Sequence, residues 1–541
     1  MIVNKIKSVT IRRAEALFLA IVLMLASCLV KILSIQNSPI AYEAVDQSEK
    51  TVKLSETRGY IYDRNGLPLV NCEKKNSAVI LVTPENKEFV LKLTGEDNIN
   101  NGICMITDSI QDIPESKYTK SYYTVSRYGE NPLCSHIIGY VNSDGIGICG
   151  IEKAFDKILN DAGGELFLKY NASAQGNALA GSGIEVSGEN FDSPAGIVLT
   201  IDKSIQRITE EALLKSEIRC GAAVVINTST FEIEAICSIP CYDPNNVAVS
   251  LSDENLPFIN RAFSAFPVGS VFKPVVAAAA LENGMNVSHQ TECKGYIETG
   301  GNIFRCYNFN VHGKVDINLA VEKSCNCFFI ETGLAVGAEN LIKTAEKFGF
   351  GKENRFCSTL VGEGGNLPHF KSITSDSQLA NLCFGQGELL ATPVQIAAAY
   401  AVFANGGKYK TPVLLKALIN DDGEEYAYYK NDEEEAVINR RTAGIINTCL
   451  YNNMLNGTGI NGAPYNTASA GKTATAQTGR YDDSGNEILC TWFAGFFPFE
   501  EPLYAVVVMN EKGSTASEDC APVFKKIAEG ITEYLNGQKG S

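Results

Sequence analysis

The sequence predicts an α+β chain in three parts: a transmembrane helix, a mixed domain, and one large domain of strands and helices. Three observations carry that reading. An uncharged apolar run opens the chain at Ala16–Val30. A stretch rich in Gly, Ser, Ala and Asn, residues 161–195, has the composition of a linker or a long exposed hairpin. From residue 196 to 541, helix-like segments lie between strand-like segments at both ends of the stretch, as in a sheet closed by its chain ends and flanked by helices. The 541 residues leave room for about three or four domains at roughly 150 residues each.

With Lys31 snorkelling, the apolar run extends from Ala16 to Ile35, 20 residues, the length that spans a bilayer as a helix. Lys5, Lys7, Arg12 and Arg13 precede it, so the positive-inside bias keeps residues 1–13 in the cytoplasm and exports everything after Gln36. The anchor is assigned to residues 14–35. Leu25-Ala26-Ser27-Cys28 resembles a lipoprotein cleavage box, but the chain stays apolar from Leu29 to Ile35, as an uncleaved helix does. Whether the anchor is cleaved or lipidated at Cys28 stays open.

The formal net charge is −16, from 46 Lys+Arg against 62 Asp+Glu. A surface that acidic repels phosphate backbones, which excludes nucleic acid as the expected partner. Four histidines, no H-E-x-x-H and no C-x-x-C argue against the common zinc sites, so no metal is expected. The 17 cysteines are scattered singly along apparent core elements, unlike a disulfide scaffold. Cys293 and Cys306 bracket the Gly300-Gly301 hairpin, and a disulfide there stays open.

Arg58–Gly66 reads as a strand entering an Asn-Gly turn, and the region from 36 to 195, linker included, forms the mixed pedestal domain. A new unit starts at Gly196–Asp202. Asp202 is placed to cap a helix over Lys203–Ser216, followed by strands Gly221–Asn227 and Phe231–Ile239. The segment Val271–Glu282, with Ala277–Ala280 and a stop at Asn283-Gly284, reads as a buried helix. Strands Leu489–Phe497 and Leu503–Asn510 and a helix over Ala521–Leu535 close the domain, 196–541.

Two phosphate-loop lookalikes fail on context. Gly145–Gly150 matches G-x-G-x-x-G without a core strand before it, and Gly471-Lys472-Thr473 has Asn466 where a phosphate loop needs glycine. No G-x-S-x-G elbow occurs. The informative pattern is S-x-x-K, present twice: Ser270-Val271-Phe272-Lys273 and Ser469-Ala470-Gly471-Lys472. The first opens the buried helix, so free N–H groups surround the Ser270 hydroxyl, and one helical turn sets Lys273 beside it to take its proton. Either match alone is as well explained by a capping serine near a surface lysine. The order is what counts: Ser324-Cys325-Asn326 follows, then Lys472–Gln477 in strand-like sequence.

S-x-x-K, S-x-N and a K-T-G-like strand in this order resemble the penicillin-binding transpeptidases and serine β-lactamases. Residues 58–66, 136–152, 196–206, 260–273, 312–326 and Gly385-Gln386-Gly387 through Gly407 look like the class B penicillin-binding proteins. One departure stands out: Ala474 replaces the usual glycine of that strand. The resemblance implies a β-lactamase/transpeptidase-like domain, an antiparallel sheet flanked by helices plus a helical subdomain, held off the membrane by the pedestal. It implies a D,D-transpeptidase acting on peptidoglycan stem peptides and binding β-lactams, with no cofactor. Ser270 would be the nucleophile and Lys273 the base. Ser324 and Asn326 would relay a proton and orient the substrate, and Lys472, Thr473 and Thr475 would hold the terminal carboxylate. The backbone N–H groups of Ser270 and Thr475 would form the oxyanion hole. Lys472 is expected to depress the Lys273 pKa through like charge. The resemblance also implies a multi-spanning glycosyltransferase partner among the cell-wall machinery, while leaving elongation, division and sporulation open. A D,D-carboxypeptidase or an anchored serine β-lactamase would share these motifs, and a non-catalytic β-lactam-binding scaffold would share the fold.

Overall fold

The computed structural model describes residues 2–38, 48–95, 102–107, 113–173, 177, 179, 183–429, 433–482 and 484–539. The chain forms two compact units, Met1–Thr57 with Glu73–Ser126 and Gly164–Asp192, and Arg58–Cys72 with Arg127–Gly163 and Ser193–Ser541. The boundary expected near residue 195 is therefore the last of several crossings. Two stretches read as pedestal, Arg58–Cys72 and Arg127–Gly163, fold with the larger unit.

The smaller unit begins with the helix Ile2–Gln36, whose part Val9–Gln36 holds an 18-residue stretch of mean hydropathy 2.7 and has length enough to cross a bilayer. Leu17, Phe18, Leu23 and Leu29 are exposed along it, as side chains that face lipid must be. Strands Glu49–Glu56, Glu165–Asn171 and Ile184–Glu189 pair antiparallel, so part of the predicted linker is a hairpin. In a second sheet, Glu73–Leu81 lies between Ile103–Thr107 and Thr119–Ser126. Its alternation serves two cores: Val79 and Leu81 join Leu168 and Ile184, while Ile80 and neighbouring Val82 meet Val90 of the helix Lys87–Thr94.

The larger unit is organised by a five-stranded antiparallel sheet in the order Ile233–Ile239, Gly221–Asn227, Tyr504–Gly513, Glu487–Phe497, Ala470–Tyr481. Hydrophobic side chains face both ways, so both faces need cover. Val225, Val506 and Val508 pack with Ile205 and Leu213 of the helix Lys203–Leu214 and with Phe524 and Ile527 of Ala521–Lys539. Val224, Val507 and Met509 turn instead to the core that holds the helices Lys273–Glu282 and Pro393–Ala404. Every residue of Pro393–Ala404 is buried, as its apolar sequence requires, and its polar Gln395 is satisfied by donating from Nε2 to Lys352 O and Gly364 O at 2.9 Å. Asp202 caps its helix as predicted, accepting from Ser204 N at 2.9 Å and Ile205 N at 3.1 Å.

Local chemistry explains why Arg58–Cys72 joins this unit. Tyr60–Tyr62 pairs in parallel with Gly196–Leu199, and the Asp63 carboxylate closes the predicted turn by accepting from Asn65 N and Leu67 N. Arg58 Nε and Arg127 Nε each donate at 2.7 Å to a different oxygen of Glu152, a fully buried carboxylate. The Gly145–Gly150 lookalike is a turn here, with Asn142 N–H donating to Ile146 O and Val141 bridged to Gly147.

Removing Glu152 takes away the only carboxylate that pairs with Arg127 among the described residues and leaves Arg58 with Asp156 alone. Glu152→Ala is expected to destabilise the larger unit by about 3–5 kcal/mol, read from denaturant unfolding of the full chain. A loss below about 1 kcal/mol would show that the arginines find other partners.

Candidate active site

Ser270 lies on a tight 3₁₀ turn, Gly269–Phe272, that runs directly into the helix Lys273–Glu282. The predicted helix start at Val271 is thus two residues early, because the first turn is wound more tightly. Gly269 has φ +65°, and its N–H donates to Gly385 O at 2.7 Å. A Cβ on Gly385 would sit 1.9 Å from Gly269 O, so only glycine permits this approach.

Lys273 points into the interior with 1% of its surface exposed. Its Nζ donates to Asn326 Oδ1 at 2.6 Å, Ser324 O at 2.8 Å and Ser324 Oγ at 3.0 Å. Ser324 Oγ donates in turn to Ser270 Oγ at 3.1 Å, so the path from nucleophile to amine runs through Ser324. Ser324 is a non-glycine residue in the left-handed region, φ 52°, a strained backbone that the surrounding bonds hold. Asn326 starts the helix Asn326–Val336 and is fixed by donating from Nδ2 to Arg305 O at 2.8 Å.

The strand Ala470–Tyr481 forms the sheet edge beside this turn. Lys472 is fully buried; its Nζ donates to Thr473 O at 3.1 Å and Thr458 Oγ1 at 3.2 Å. Thr473 Oγ1 donates to the same Thr458 hydroxyl at 2.8 Å, and Thr475 is exposed. The second S-x-x-K match dissolves here. Ser469 precedes a strand, and positions three apart on a strand face opposite sides.

Burial pushes the Lys273 amine down to about 8, while Cys325, Cys306 and Cys327 act against that shift. Lys472 lies well below its ordinary value, first through burial and then through the charge of Lys273. The expectation that Lys472 depresses Lys273 is thus corrected: desolvation lowers Lys273, and the charge effect falls on Lys472. The more strongly desolvated amine gives up its proton first and then carries no charge to repel its neighbour. A serine hydroxyl linked to an amine that is partly neutral near pH 8 can be deprotonated for nucleophilic attack.

Every predicted side chain except exposed Thr475 enters one of two hydrogen-bonded groups, Ser270–Ser324–Lys273–Asn326 or Lys472–Thr458–Thr473, and the Thr475 backbone borders Gly269: a Cβ there would meet Thr475 O at 3.4 Å. The same Cβ would meet Ala476 Cβ at 3.2 Å and Ala474 Cβ at 3.3 Å. The Ala474 methyl therefore packs in the seam behind the nucleophile turn, 2% exposed. Two residues were missed from sequence. Thr458 joins Lys472 to Thr473. Asn453, fully buried, donates to Gly471 O at 2.8 Å and accepts from Thr458 N at 3.0 Å. Their only local signal is the Asn456–Gly459 turn after the helix Arg440–Asn456. The Cys293 and Cys306 sulfurs stand 3.7 Å apart as free thiols.

Residues 221–529 match the family model described as the penicillin binding protein transpeptidase domain. The chain is 27% identical over 505 residues to Stage V sporulation protein D of Bacillus subtilis, covering 90% of this chain and 73% of that protein. It is 27% identical over 421 residues to peptidoglycan D,D-transpeptidase FtsI of Escherichia coli, covering 76% and 67%. Among solved structures it resembles penicillin-binding protein 3 of Mycobacterium tuberculosis bound to aztreonam, with TM-score 0.65, 24% identity, and 90% and 97% of the two chains covered. A chain from a peptidoglycan synthase complex aligns with TM-score 0.70 and 23% identity, over 95% and 98%.

The seam makes an asymmetric prediction. Gly269→Ala is expected to cost about 1–3 kcal/mol, from its left-handed backbone and the crowding against two alanine methyls. Ala474→Gly costs no more than about 1 kcal/mol, since only one methyl and some strand rigidity are lost. Melting of both variants decides it, and equal losses would refute the packing described.

Proposed function

We propose, from the premise that this chain belongs to the penicillin binding protein transpeptidase domain family, that it is a membrane-anchored class B D,D-transpeptidase. It cross-links peptidoglycan stem peptides through a serine acyl-enzyme and binds penicillin covalently. The observation that carries the reading is the hydrogen-bonded row Lys273–Ser324–Ser270 beside the edge strand of Lys472 and Thr473.

In this reading a stem peptide ending in D-Ala-D-Ala lies along the edge strand. Ser270 Oγ attacks the penultimate carbonyl and its proton passes through Ser324 Oγ to neutral Lys273. The tetrahedral oxyanion is received by the backbone N–H groups of Ser270 and Thr475. The C–N bond then breaks, and the leaving D-Ala amine takes the proton back along the same path. Asn326, held by Arg305 O and Lys273, orients the substrate amide. An acceptor amine from a second stem peptide attacks the ester and gives its proton to Lys273; as the C–O bond breaks, Lys273 returns that proton through Ser324 Oγ to Ser270 Oγ, which frees the serine. The terminal carboxylate binds Lys472, Thr473 and the Thr475 hydroxyl. An arriving carboxylate stabilises the ammonium form of Lys472, so this binding takes up a proton.

Lys5, Lys7, Arg12 and Arg13 support an orientation with the N-terminus in the cytoplasm and the chain after Gln36 outside the membrane. The smaller unit would serve as pedestal, and the partner would be a multi-spanning glycosyltransferase that supplies glycan strands. The solved relative from a complex of polymerisation and cross-linking supports such a pairing.

Fluorescent penicillin is expected to label the full-length protein, with labelling abolished by Ser270→Ala and retained by Ser469→Ala. Labelling that survives in Ser270→Ala would sink the assignment of the nucleophile.

The acylation rate is expected to follow the neutral form of Lys273. It rises with pH, reaches half its plateau near pH 8 and levels off above, as stopped-flow acylation across pH would read. Stability moves in the same direction. The unfolded lysine binds its proton more tightly than the folded one, so the penalty is full below about pH 8 and is relieved as pH rises toward the ordinary 10.5. A flat profile from pH 6 to 10 would exclude Lys273 as the base.

A further inference from the structure

Behind the site, Cys293, Cys306, Cys325 and Cys327 are all buried, and their four sulfurs lie within 4.8 Å of one another. They come from separate places in the chain. Cys293 ends the strand Thr291–Cys293, and Cys306 follows the hairpin of Tyr296–Thr299 and Asn302–Arg305. Cys325 and Cys327 flank Asn326 at the start of its helix. The Cys306 sulfur stands 3.7 Å from Cys293, 3.9 Å from Cys325 and 3.7 Å from Cys327.

Those separations have a chemical meaning. Four thiolates bound tetrahedrally at about 2.3 Å from a zinc ion lie about 3.8 Å from one another. The Cys293 sulfur also has the polar neighbours that bound thiolates take: Gly295 N–H donates to it at 3.4 Å, and His312 Nδ1 lies 3.3 Å away. We propose that these four cysteines form a closed, structural binding site for one thiophilic divalent cation of the zinc class. On binding, four S–H bonds give way to four sulfur–metal bonds and the protons go to solvent, with no change of oxidation state. Four protein ligands leave no open position for a water or substrate, so the ion takes no part in acyl transfer.

Its effect on the site is positional. Asn326 sits between two ligands, and the Arg305 carbonyl that it binds precedes a third. One ion would tie both ends of that hydrogen bond together and hold Asn326 Oδ1 against Lys273. The inference stands apart from the assignment of the nucleophile, because its readout is metal rather than acylation.

The test uses full-length protein purified in detergent under reducing conditions, with metal measured by elemental analysis. About one zinc ion per chain is expected, lost in Cys293→Ser and Cys327→Ser and kept in Cys357→Ser, whose thiol lies outside the cluster. His312→Ala keeps the ion. Exchange for cobalt in the wild-type protein is expected to produce thiolate-to-cobalt charge-transfer bands and the visible bands of tetrahedral cobalt, a readout that needs no variant to fold. Wild-type protein without metal and without those bands on cobalt addition overturns the proposal. Recovery from cells with any two of the four joined as a disulfide does so too. Loss of metal in His312→Ala with retention in Cys327→Ser overturns the four-cysteine ligand set.

Discussion

An amine withdrawn from water is what the rest of this site has to accommodate. Lys273 and Lys472 are both buried, and an ammonium moved from water into a protein interior costs several kcal/mol even after relaxation. A carboxylate partner would offset that cost, but it would also hold the proton in place and end the usefulness of Lys273 as a base. Among the described residues the partners of both lysines are neutral oxygens: Ser324 O and Oγ and Asn326 Oδ1 for one, Thr458 Oγ1 and Thr473 O for the other. They satisfy the N–H donors without fixing the charge. Buried arginines elsewhere in the larger unit, Arg58 and Arg261, are paired with Glu152 and Glu511, because nothing there requires a proton to leave.

That environment exists only after the sheet has closed. Ser324 lies 54 residues beyond Ser270, and Lys472 arrives on a strand that reaches Gly221–Asn227 only through two further antiparallel neighbours. The helix Lys273–Glu282 carries Ala277–Ala280 fully buried, so it lies deep in the unit and fixes where Ser270 emerges. Closing such non-local pairings is entropically costly, and the reward comes late, when both sheet faces are covered. The stability of the site is therefore that of the larger unit as a whole, rather than of any one loop.

The sheet was legible because its strands have a local signal. Gly221–Asn227 begins and ends where the apolar run predicts, and Asp202 caps its helix because a side-chain acceptor at that position has little else to do. The motif residues were legible because their spacing encodes a turn and a strand edge. What the sequence did not reveal is non-local. Tyr60–Tyr62 is three residues long and owes its place to a parallel pairing with residues 196–198, so the unit boundary could not be drawn from composition. Asn453 and Thr458 serve the site through backbone carbonyls and a shared hydroxyl, which no spacing records. The cysteines were read as scattered because they sit singly along core elements without the regular spacing of a disulfide scaffold, whereas folding brings Cys293, Cys306 and the Cys325–Cys327 segment together. The balance between the two lysines was read in the wrong direction because charge repulsion can be guessed from sequence, while relative desolvation cannot.

The departure at Ala474 follows from the same packing. A strand beside a nucleophile turn has to bring its backbone close, and glycine is the simplest way to do so. Here the space is made on the other side of the seam. Gly269 lacks the Cβ that would press on Ala474 and Ala476, and Gly385 lacks the one that would strike the Gly269 carbonyl. With Gly269 at the start of the turn and Gly385 against its carbonyl, the strand carries methyl groups without moving away from Ser270. Pairing of Ala474 with Trp492 holds it further, because the indole N–H donates to Pro267 O at 2.8 Å and so links the second strand to the segment leading into the turn. The approach of strand to turn is thus set by the pair of surfaces, and an alanine at 474 is compatible with it because the opposing surface is glycine.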